Sequence, residues 1–189
     1  MDSELVTHQI VYLLGKERLG RRTLARLMGN SEMRVRLQLE RLRDQGLVKL
    51  DRRGATLTRQ GKIQFVTVLN AVKEVEELPL VSLSQDTVTL AALIAYSPGR
   101  PAWYYRDLAI RAGASGLLML QARADRLIFS HNKEPVSRHN RTDARIMDEA
   151  FPNREKGDII LVVSAPDRAR AGRGLWQAIM AILTPSIKD

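Results

Sequence analysis

The chain has 189 residues, of which 44% are hydrophobic and 27% are charged, a composition typical of a folded globular protein and not of a disordered one. It contains no cysteine, which excludes disulfides, thiolate metal sites and a thiol nucleophile. The three histidines are not at metal-ligand spacing, so we expect neither a metal nor a cofactor. No apolar run is long enough to span a membrane and no signal peptide is recognisable, which predicts a cytoplasmic protein.

The positive charge is concentrated in one part of the chain. The whole chain has a net charge of +9, and residues 15–64 carry all of this excess, with 14 basic and 5 acidic residues. If the basic residues served only solubility, the excess positive charge would be spread along the chain, whereas a surface that binds a polyanion concentrates it. Of the 30 basic residues 23 are arginine, whose planar guanidinium fits phosphates and guanine edges. The charge therefore indicates a nucleic-acid partner.

Three short helices are predicted at the start of the chain. Apolar residues recur at helical spacing in residues 4–14 and again in 21–28, and glycine follows each segment. A third helix is predicted from a cap at Ser31 to a stop at Gly46. The short turn between the second and third helices is the helix-turn-helix arrangement.

The periodicity changes after the third helix. Two short β-prone runs, 47–50 and 55–58, flank an Asp-Arg-Arg-Gly turn and predict a hairpin, the wing of a winged helix-turn-helix. Residues 59–78 are predicted to form one long helix that ends before Pro79. The 3, 4, 3 spacing of its apolar residues is that of a short coiled-coil seam and predicts a dimer contact, with packing against helix one or the C-terminal domain of its own chain as the alternative. These residues are Phe65, Val68, Val72 and Val75.

The rest of the chain predicts a small α+β domain with the order β-α-β-β-α-β-α. The predicted strands are 87–96, 117–121, 126–129 and 158–164, and the predicted helices are 103–112, 142–150 and 167–183. For residues 87–96 a buried helix is the alternative. The fold class is therefore α+β. We predict a winged helix domain in residues 1–61, a linking or dimerisation helix in 62–79, and a sensor or dimerisation domain in 80–189.

The third helix and the hairpin turn are the predicted DNA-reading elements. Placing Val35, Leu39 and Leu42 in the core turns the opposite face of the helix outward, where it can enter a major groove. A turn needs Asp or Gly but not arginine, so the turn arginines are interpreted as contacts to phosphates or to the minor groove. An arginine-rich surface that is merely solvated is the alternative. The predicted DNA-binding residues are Arg21, Arg22, Thr23, Ser31, Met33, Arg34, Arg36, Leu37, Arg41, Arg52 and Arg53.

Several segments resemble the winged-helix module of prokaryotic regulators, most of all an archaeal group with a small C-terminal domain of unknown function. The segments are Leu19 to Ala25, Val35-Arg36, Leu39 to Val48, Arg53-Gly54, Leu57-Thr58 and Gly61. The resemblance covers residues 4–78 and implies a DNA-binding transcription regulator. Met33 and Leu37 depart from it, since this module often has small or polar residues at those positions.

The sequence contains no phosphate loop, nucleophile elbow or zinc-protease motif, so we do not expect an enzyme. Two loops of the C-terminal domain could accept a small anionic effector, through Arg111 and Ser115 in one and Asp167 and Arg168 in the other. The structural alternative is that Gly113 ends a helix and Asp167 caps one.

The favoured hypothesis is a sequence-specific, homodimeric regulator that binds double-stranded DNA. Two alternatives stay open: an architectural or processing protein that binds nucleic acid with little specificity, and a protein-interaction module built on a winged helix. The localised charge argues against the interaction module.

Overall fold

The computed structural model describes residues 2–123 and 125–184. The chain divides into two compact units, Met1–Asn70 and Ala71–Asp189, called unit 1 and unit 2 below. Helices and strands are both abundant, which confirms the predicted α+β class. Within the described ranges, no helix is both long and apolar enough to cross a membrane.

Unit 1 begins with three helices at the predicted places. They are α1 (Asp2–Lys16), α2 (Arg21–Met28) and α3 (Glu32–Asp44). Gly29 ends α2 with a left-handed φ of 62°, a conformation that costs glycine little. The hydroxyl of Ser31 accepts a hydrogen bond from the backbone N–H at the first turn of α3, at 3.3 Å, and caps that helix.

A two-stranded antiparallel hairpin follows the helices. Its strands are β1 (Val48–Asp51) and β2 (Gly54–Leu57), within one residue of the predicted runs. The loop before α2 joins this hairpin as a short third strand, since Leu19 and Ala55 exchange two backbone hydrogen bonds of 3.2 and 2.8 Å. The hairpin is therefore fixed to the helices by its backbone.

The core of unit 1 lies among α1, α2, α3 and the hairpin. It contains Val6, Ile10, Val11, Leu14, Leu19, Leu24, Ala25, Met28, Val35, Leu39, Leu42, Leu47, Val48, Ala55 and Leu57. Each fully buried aliphatic side chain of this kind contributes about 1.5–3 kcal/mol. Buried Gln38 adds a polar link from α3 to α1, because its amide is hydrogen-bonded to the hydroxyls of Ser3 and Thr7.

The prediction of one long helix over residues 59–78 is wrong for the second half of that range. The chain forms α4 (Arg59–Gln64), α5 (Val66–Ala71) and then strand β3 (Val72–Glu77). The valines at 72 and 75 are β-branched, and pairing with a neighbouring strand of the sheet overrides their helical spacing. The boundary between the units therefore lies between residues 70 and 71, and no linking helix spans 62–79.

The predicted coiled-coil seam is corrected for the same reason. Phe65 packs against the core of unit 1, with its ring edge-on to His8 at 5.6 Å between centroids. Val68 is buried in its own chain, and Val72 and Val75 belong to β3. The residues of the predicted stripe thus serve the fold of the monomer, and the stripe does not form a dimer seam.

Unit 2 contains a five-stranded sheet. Besides β3, its strands are β4 (Val88–Ile94), β5 (Gly116–Ala122), β6 (Leu127–Phe129) and β7 (Ile159–Ala165). They lie in the order β3-β4-β7-β5-β6, with every neighbouring pair antiparallel. The helices are α6 (Ala102–Arg111), α7 (Arg141–Ala150) and α8 (Arg168–Leu183), with one 3₁₀ turn at Val136–Arg138. This is the predicted order β-α-β-β-α-β-α, preceded by the unexpected β3.

Helices cover both faces of the sheet. Alternate residues of β4, β5 and β7 pack on one face with Met147 and Ala144 of α7, whereas α6 and α8 pack on the other. Strand β7 lies at the centre of the sheet and all seven of its residues are buried. A strand buried on both faces reads as a continuous apolar run, which is the pattern that predicted it.

The loop after β3 is held by a buried carboxylate. Asp143 on α7 is fully buried and accepts hydrogen bonds from the backbone N–H groups of Val81, Ser82 and Leu83, at 2.7–2.8 Å. A buried charge is tolerated only when it is well paired or hydrogen-bonded. This aspartate is therefore a structural residue of unit 2.

Replacing Gly61 by alanine is expected to destabilise unit 1. A Cβ atom at Gly61 would lie 2.2 Å from the carbonyl oxygen of Leu47, a backbone atom that cannot move aside freely. Overpacking of this kind costs about 1–3 kcal/mol. Chemical denaturation of the full chain measures this loss, and Gly20→Ala is the matched control, since no atom lies within 4 Å of its Cβ position. Equal stability of Gly61→Ala and the wild type would contradict the close approach of α4 to Leu47.

Candidate nucleic-acid interface

The solvent-facing side of α3 carries two large apolar residues. Met33 is 60% exposed and Leu37 is 49% exposed. They are four residues apart on the helix and therefore adjacent on its surface, opposite the buried Val35 and Leu39. Exposed apolar side chains in an arginine-rich surface indicate a contact that includes apolar atoms as well as charge.

Two predicted arginines, Arg34 and Arg41, lie on the side of α3 that faces α1. They are seven residues apart and share one side of the helix. Nη1 of Arg41 donates to the hydroxyl of Ser3 at 3.2 Å. Arg34 is half-buried near the start of the helix. The structure thus places both on the flank beside Met33 and Leu37.

A groove of about 410 Å³ separates α3 from the hairpin. Arg21, Arg36 and Arg43 line it, together with Glu40 and Asp51. The structure therefore brings Arg21 of α2 and Arg36 of α3 to one groove, as expected for a joint surface. Arg43 was not among the predicted site residues, although its position seven residues after Arg36 puts it on the same side of α3.

The arginines near this groove form exposed ion pairs. Arg36 Nε lies 2.9 Å from a carboxylate oxygen of Glu40, and Arg21 and Arg22 approach Glu32 at 3.4 and 3.6 Å. Exposed ion pairs of this kind contribute only about 0–1 kcal/mol. A phosphate can therefore replace these carboxylates at little cost.

The hairpin turn presents Arg52 and Arg53 to solvent. In the described part of the chain neither forms an ion pair. The backbone N–H of Arg53 donates to the carboxylate of Asp51 at 2.8 Å, and Arg18 Nη1 donates to the same carboxylate at 2.6 Å. These donors lower the pKa of Asp51, with the Arg18 hydrogen bond as the larger cause. The turn is thus ordered before any ligand binds.

Two other residues that were predicted to bind DNA have a role in the fold. Ser31 caps α3, so its hydroxyl is already engaged by the backbone of that helix. Thr23 is half-buried in the first turn of α2. The side chain of Arg22, by contrast, is 85% exposed and projects from α2.

The four predicted effector residues lie in unit 2, at two loops that touch. The backbone N–H of Ser115 donates to the carbonyl of Ser164 at 2.8 Å, which joins the first loop to the end of β7, just before the second loop. Most of these residues already have partners. The hydroxyl of Ser115 donates to Asp86 and lowers the pKa of that carboxyl, Asp167 caps α8, and Arg168 pairs with Glu77. Arg111, the last residue of α6, is exposed.

Replacing Arg18 by glutamine is expected to raise the pKa of Asp51 toward its ordinary value, because the larger of the donors that lower it is removed. The stabilisation from this pair is present above the ordinary carboxyl pKa and is lost as the pH falls through the lowered folded-state pKa. Carboxyl-carbon NMR titration of Asp51 measures the shift. Arg126→Gln, which removes the partner of Asp125, is the control and leaves Asp51 unchanged. An unaltered titration in Arg18→Gln would show that Arg18 does not order the turn.

Comparisons with known proteins agree with this division of the chain. Residues 8–74 match the family described as CggR N-terminal DNA binding domain, and residues 100–182 match the family described as domain of unknown function DUF4443. The chain is similar to the solved structure of hypothetical protein PH0730 from Pyrococcus horikoshii OT3, with 21% identity and a TM-score of 0.76 over 97% of this chain and 95% of that one. This likeness shows a shared fold. No match is found among the curated proteins. The chain therefore joins an N-terminal DNA-binding domain of the helix-turn-helix type to a C-terminal domain of unknown function.

Proposed function

We propose that this protein is a transcription regulator that reads the major groove of double-stranded DNA with α3. The observation that carries the proposal is the coincidence of two features in unit 1. Residues 8–74 match a DNA-binding domain, and residues 15–64 hold the whole net positive charge of the chain. Because DNA carries a phosphate charge about every 1.7 Å of helix axis, a basic surface of this kind supplies most of the non-specific affinity.

The surface of α3 supports a division of roles among its residues. Met33 and Leu37 lie at the crest of the helix, where apolar side chains can pack on thymine methyl groups. Arg34 and Arg41 on one flank can reach base edges or phosphates. Arg36 on the other flank faces the groove beside the hairpin, where phosphate contact is expected.

The hairpin acts as the wing in this proposal. Arg52 and Arg53 stand at its tip, and the turn is ordered by Asp51. A rigid tip with two guanidinium groups suits the sugar-phosphate backbone or a narrow minor groove. Arg22 on α2 adds a further exposed charge from the helix-turn-helix.

A homodimer remains part of the proposal. One winged helix reads a short half-site, and a two-fold dimer extends the sequence that is read. Since the predicted stripe on residues 65–75 is used within the monomer, a dimer must use other residues. A small anionic effector in unit 2 and the archaeal type of the regulator are also retained as predictions.

Replacing Arg52 and Arg53 together by alanine is expected to weaken binding about equally on all DNA sequences. If each arginine contacts one phosphate, the slope of log affinity against log salt should shrink by about 2, at about 0.9 per phosphate. Fluorescence anisotropy at several salt concentrations measures the slope. Arg141→Ala with Arg145→Ala, two exposed arginines of α7 in unit 2, removes the same charge and leaves the slope unchanged. An unaltered slope in a folded Arg52/Arg53 variant would remove the wing from the proposal.

Replacing Arg34 by alanine is expected to relax base preference at one position of the site. A bidentate contact to a base contributes about 1–3 kcal/mol of discrimination, whereas a phosphate contact contributes none. Affinities measured on a set of single-base variants of one binding site separate these outcomes. A uniform loss over all variants would make Arg34 a phosphate contact and would favour the alternative of a protein that binds nucleic acid with little specificity.

A further inference from the structure

A cleft of about 760 Å³ in unit 2 lies between the start of α6 and strands β5 and β6. This size is within the range of about 300–1,000 Å³ that small-molecule sites occupy. It is much larger than a single phosphate needs. None of the four residues that the sequence nominated for an effector lines it.

The lining of this cleft is positively charged. Arg100, Arg106 and Lys133 contribute to it, and no aspartate or glutamate is among the lining residues. The existing contacts of these cations are weak and exposed. Arg106 lies 3.3 Å from Asp107, and Lys133 donates to the side-chain oxygen of Gln121 at 3.1 Å. Three cations in one cleft favour a ligand that carries more than one negative charge.

The cleft also offers an exposed aromatic surface. Trp103 is 58% exposed, although tryptophan is on average a well-buried residue. His131 is also part of the lining, next to the ring of Phe129 at 5.5 Å between centroids. Exposed indole and imidazole rings beside cations suit a ligand with a planar ring.

Two features distinguish the segment after β6 from the rest of the cleft. Ser130 lines it, and the hydroxyl oxygen of this serine is buried without a hydrogen-bond partner in the described part of the chain. A buried polar atom is usually satisfied, so a ligand that reached this hydroxyl would supply the hydrogen bond that it lacks. Lys133 has a φ of 62°, a left-handed conformation that would suit glycine or asparagine better than lysine. Lys133 also lines the cleft.

The start of α6 adds to the positive potential. Pro101 precedes its first turn, and no side chain caps this end of the helix. Backbone N–H groups at an uncapped helix start attract anions. Pro101 and Ala102 both line the cleft.

We propose that this cleft binds a small ligand in which an aromatic ring is joined to a phosphate group, with nucleoside monophosphates as the chemical class. The ring stacks on Trp103, while Arg100, Arg106 and Lys133 neutralise the phosphate. Such a site supplies the anionic effector that the regulator proposal retains. Binding is measured on the protein without DNA, so a failure of this inference is distinguishable from a failure of the DNA-binding proposal.

Titration of the full-length protein with AMP tests the proposal through tryptophan fluorescence. Trp103 is exposed and Trp176 is only 4% exposed, so a ligand in the cleft changes the emission of Trp103. Adenosine supplies the ring without the charge, and inorganic phosphate supplies the charge without the ring. The expected result is saturable binding of AMP that is at least about 10-fold tighter than that of either part, because ring and phosphate contacts act together.

Substitutions test the assignment of residues by calorimetry. Arg100→Gln with Lys133→Gln is expected to weaken AMP binding at least about 10-fold, as removal of charge-assisted contacts to phosphate does. Trp103→Leu is a second variant that leaves the charge intact and weakens AMP more than inorganic phosphate. Arg141→Gln with Arg145→Gln removes the same charge from exposed positions of unit 2 outside the cleft and leaves AMP binding unchanged.

Three results would overturn the proposal. The first is the absence of saturable AMP binding to the wild-type protein. The second is an equal loss of AMP binding in the cleft variant and in the Arg141/Arg145 variant, which would mean that net charge alone matters. The third is a single-stranded oligonucleotide that binds more tightly than AMP and depends on Trp103, which would assign the cleft to a nucleic-acid strand instead.

Discussion

The backbone pairing of Leu19 with Ala55 determines the geometry of the whole basic surface. It ties the loop before α2 to the second strand of the hairpin, so that the helix-turn-helix and the hairpin form one body. Gly54 permits this approach, since it has a φ of 131° and a Cβ there would lie 2.7 Å from the carbonyl oxygen of Leu19. Gly54 and Ala55 at this junction also line the groove between α3 and the hairpin. An arginine at the hairpin tip is therefore held at a fixed position relative to α3.

A surface arranged in this way separates affinity from specificity. The exposed ion pairs at Arg36 and Arg21 leave guanidinium groups that can exchange a carboxylate for a phosphate. The apolar crest of α3, formed by Met33 and Leu37, contributes little in water and gains only against apolar base atoms. In the proposed function, the basic groups bring the protein to DNA, and the crest with its flanking arginines discriminates among sequences.

The sequence predicted the parts of this protein that depend on local rules. The cap at Ser31, the glycine after α2, the hairpin turn and the continuous apolar run of β7 each follow from the properties of neighbouring residues, and each was found at its predicted place. Val72 and Val75 show where local rules fail. Their helical spacing is real, but pairing with β4 is a long-range interaction that decides in favour of a strand.

The candidate sites also contain residues that local rules predict and residues that only the tertiary structure brings together. Residues on α3 and at the hairpin tip could be predicted, because helical periodicity and turn chemistry reveal which side chains face outward. The inclusion of Arg43 in the groove depends on the tertiary approach of the hairpin. The cleft of unit 2 could not be predicted either, because Trp103 and Ser130 are distant in the sequence and meet only in the folded sheet.

Selection of genomic DNA fragments by the purified full-length protein tests the central claim most directly. Fragments bound at physiological salt are recovered in the presence of excess competitor DNA and sequenced. If the protein is a regulator that reads bases through α3, one recurring sequence is enriched, and its enrichment is lost when Arg34 and Leu37 are both replaced by alanine. Recovery of fragments with no shared sequence, at an affinity equal to that for the competitor, would contradict the account and leave only binding without sequence preference.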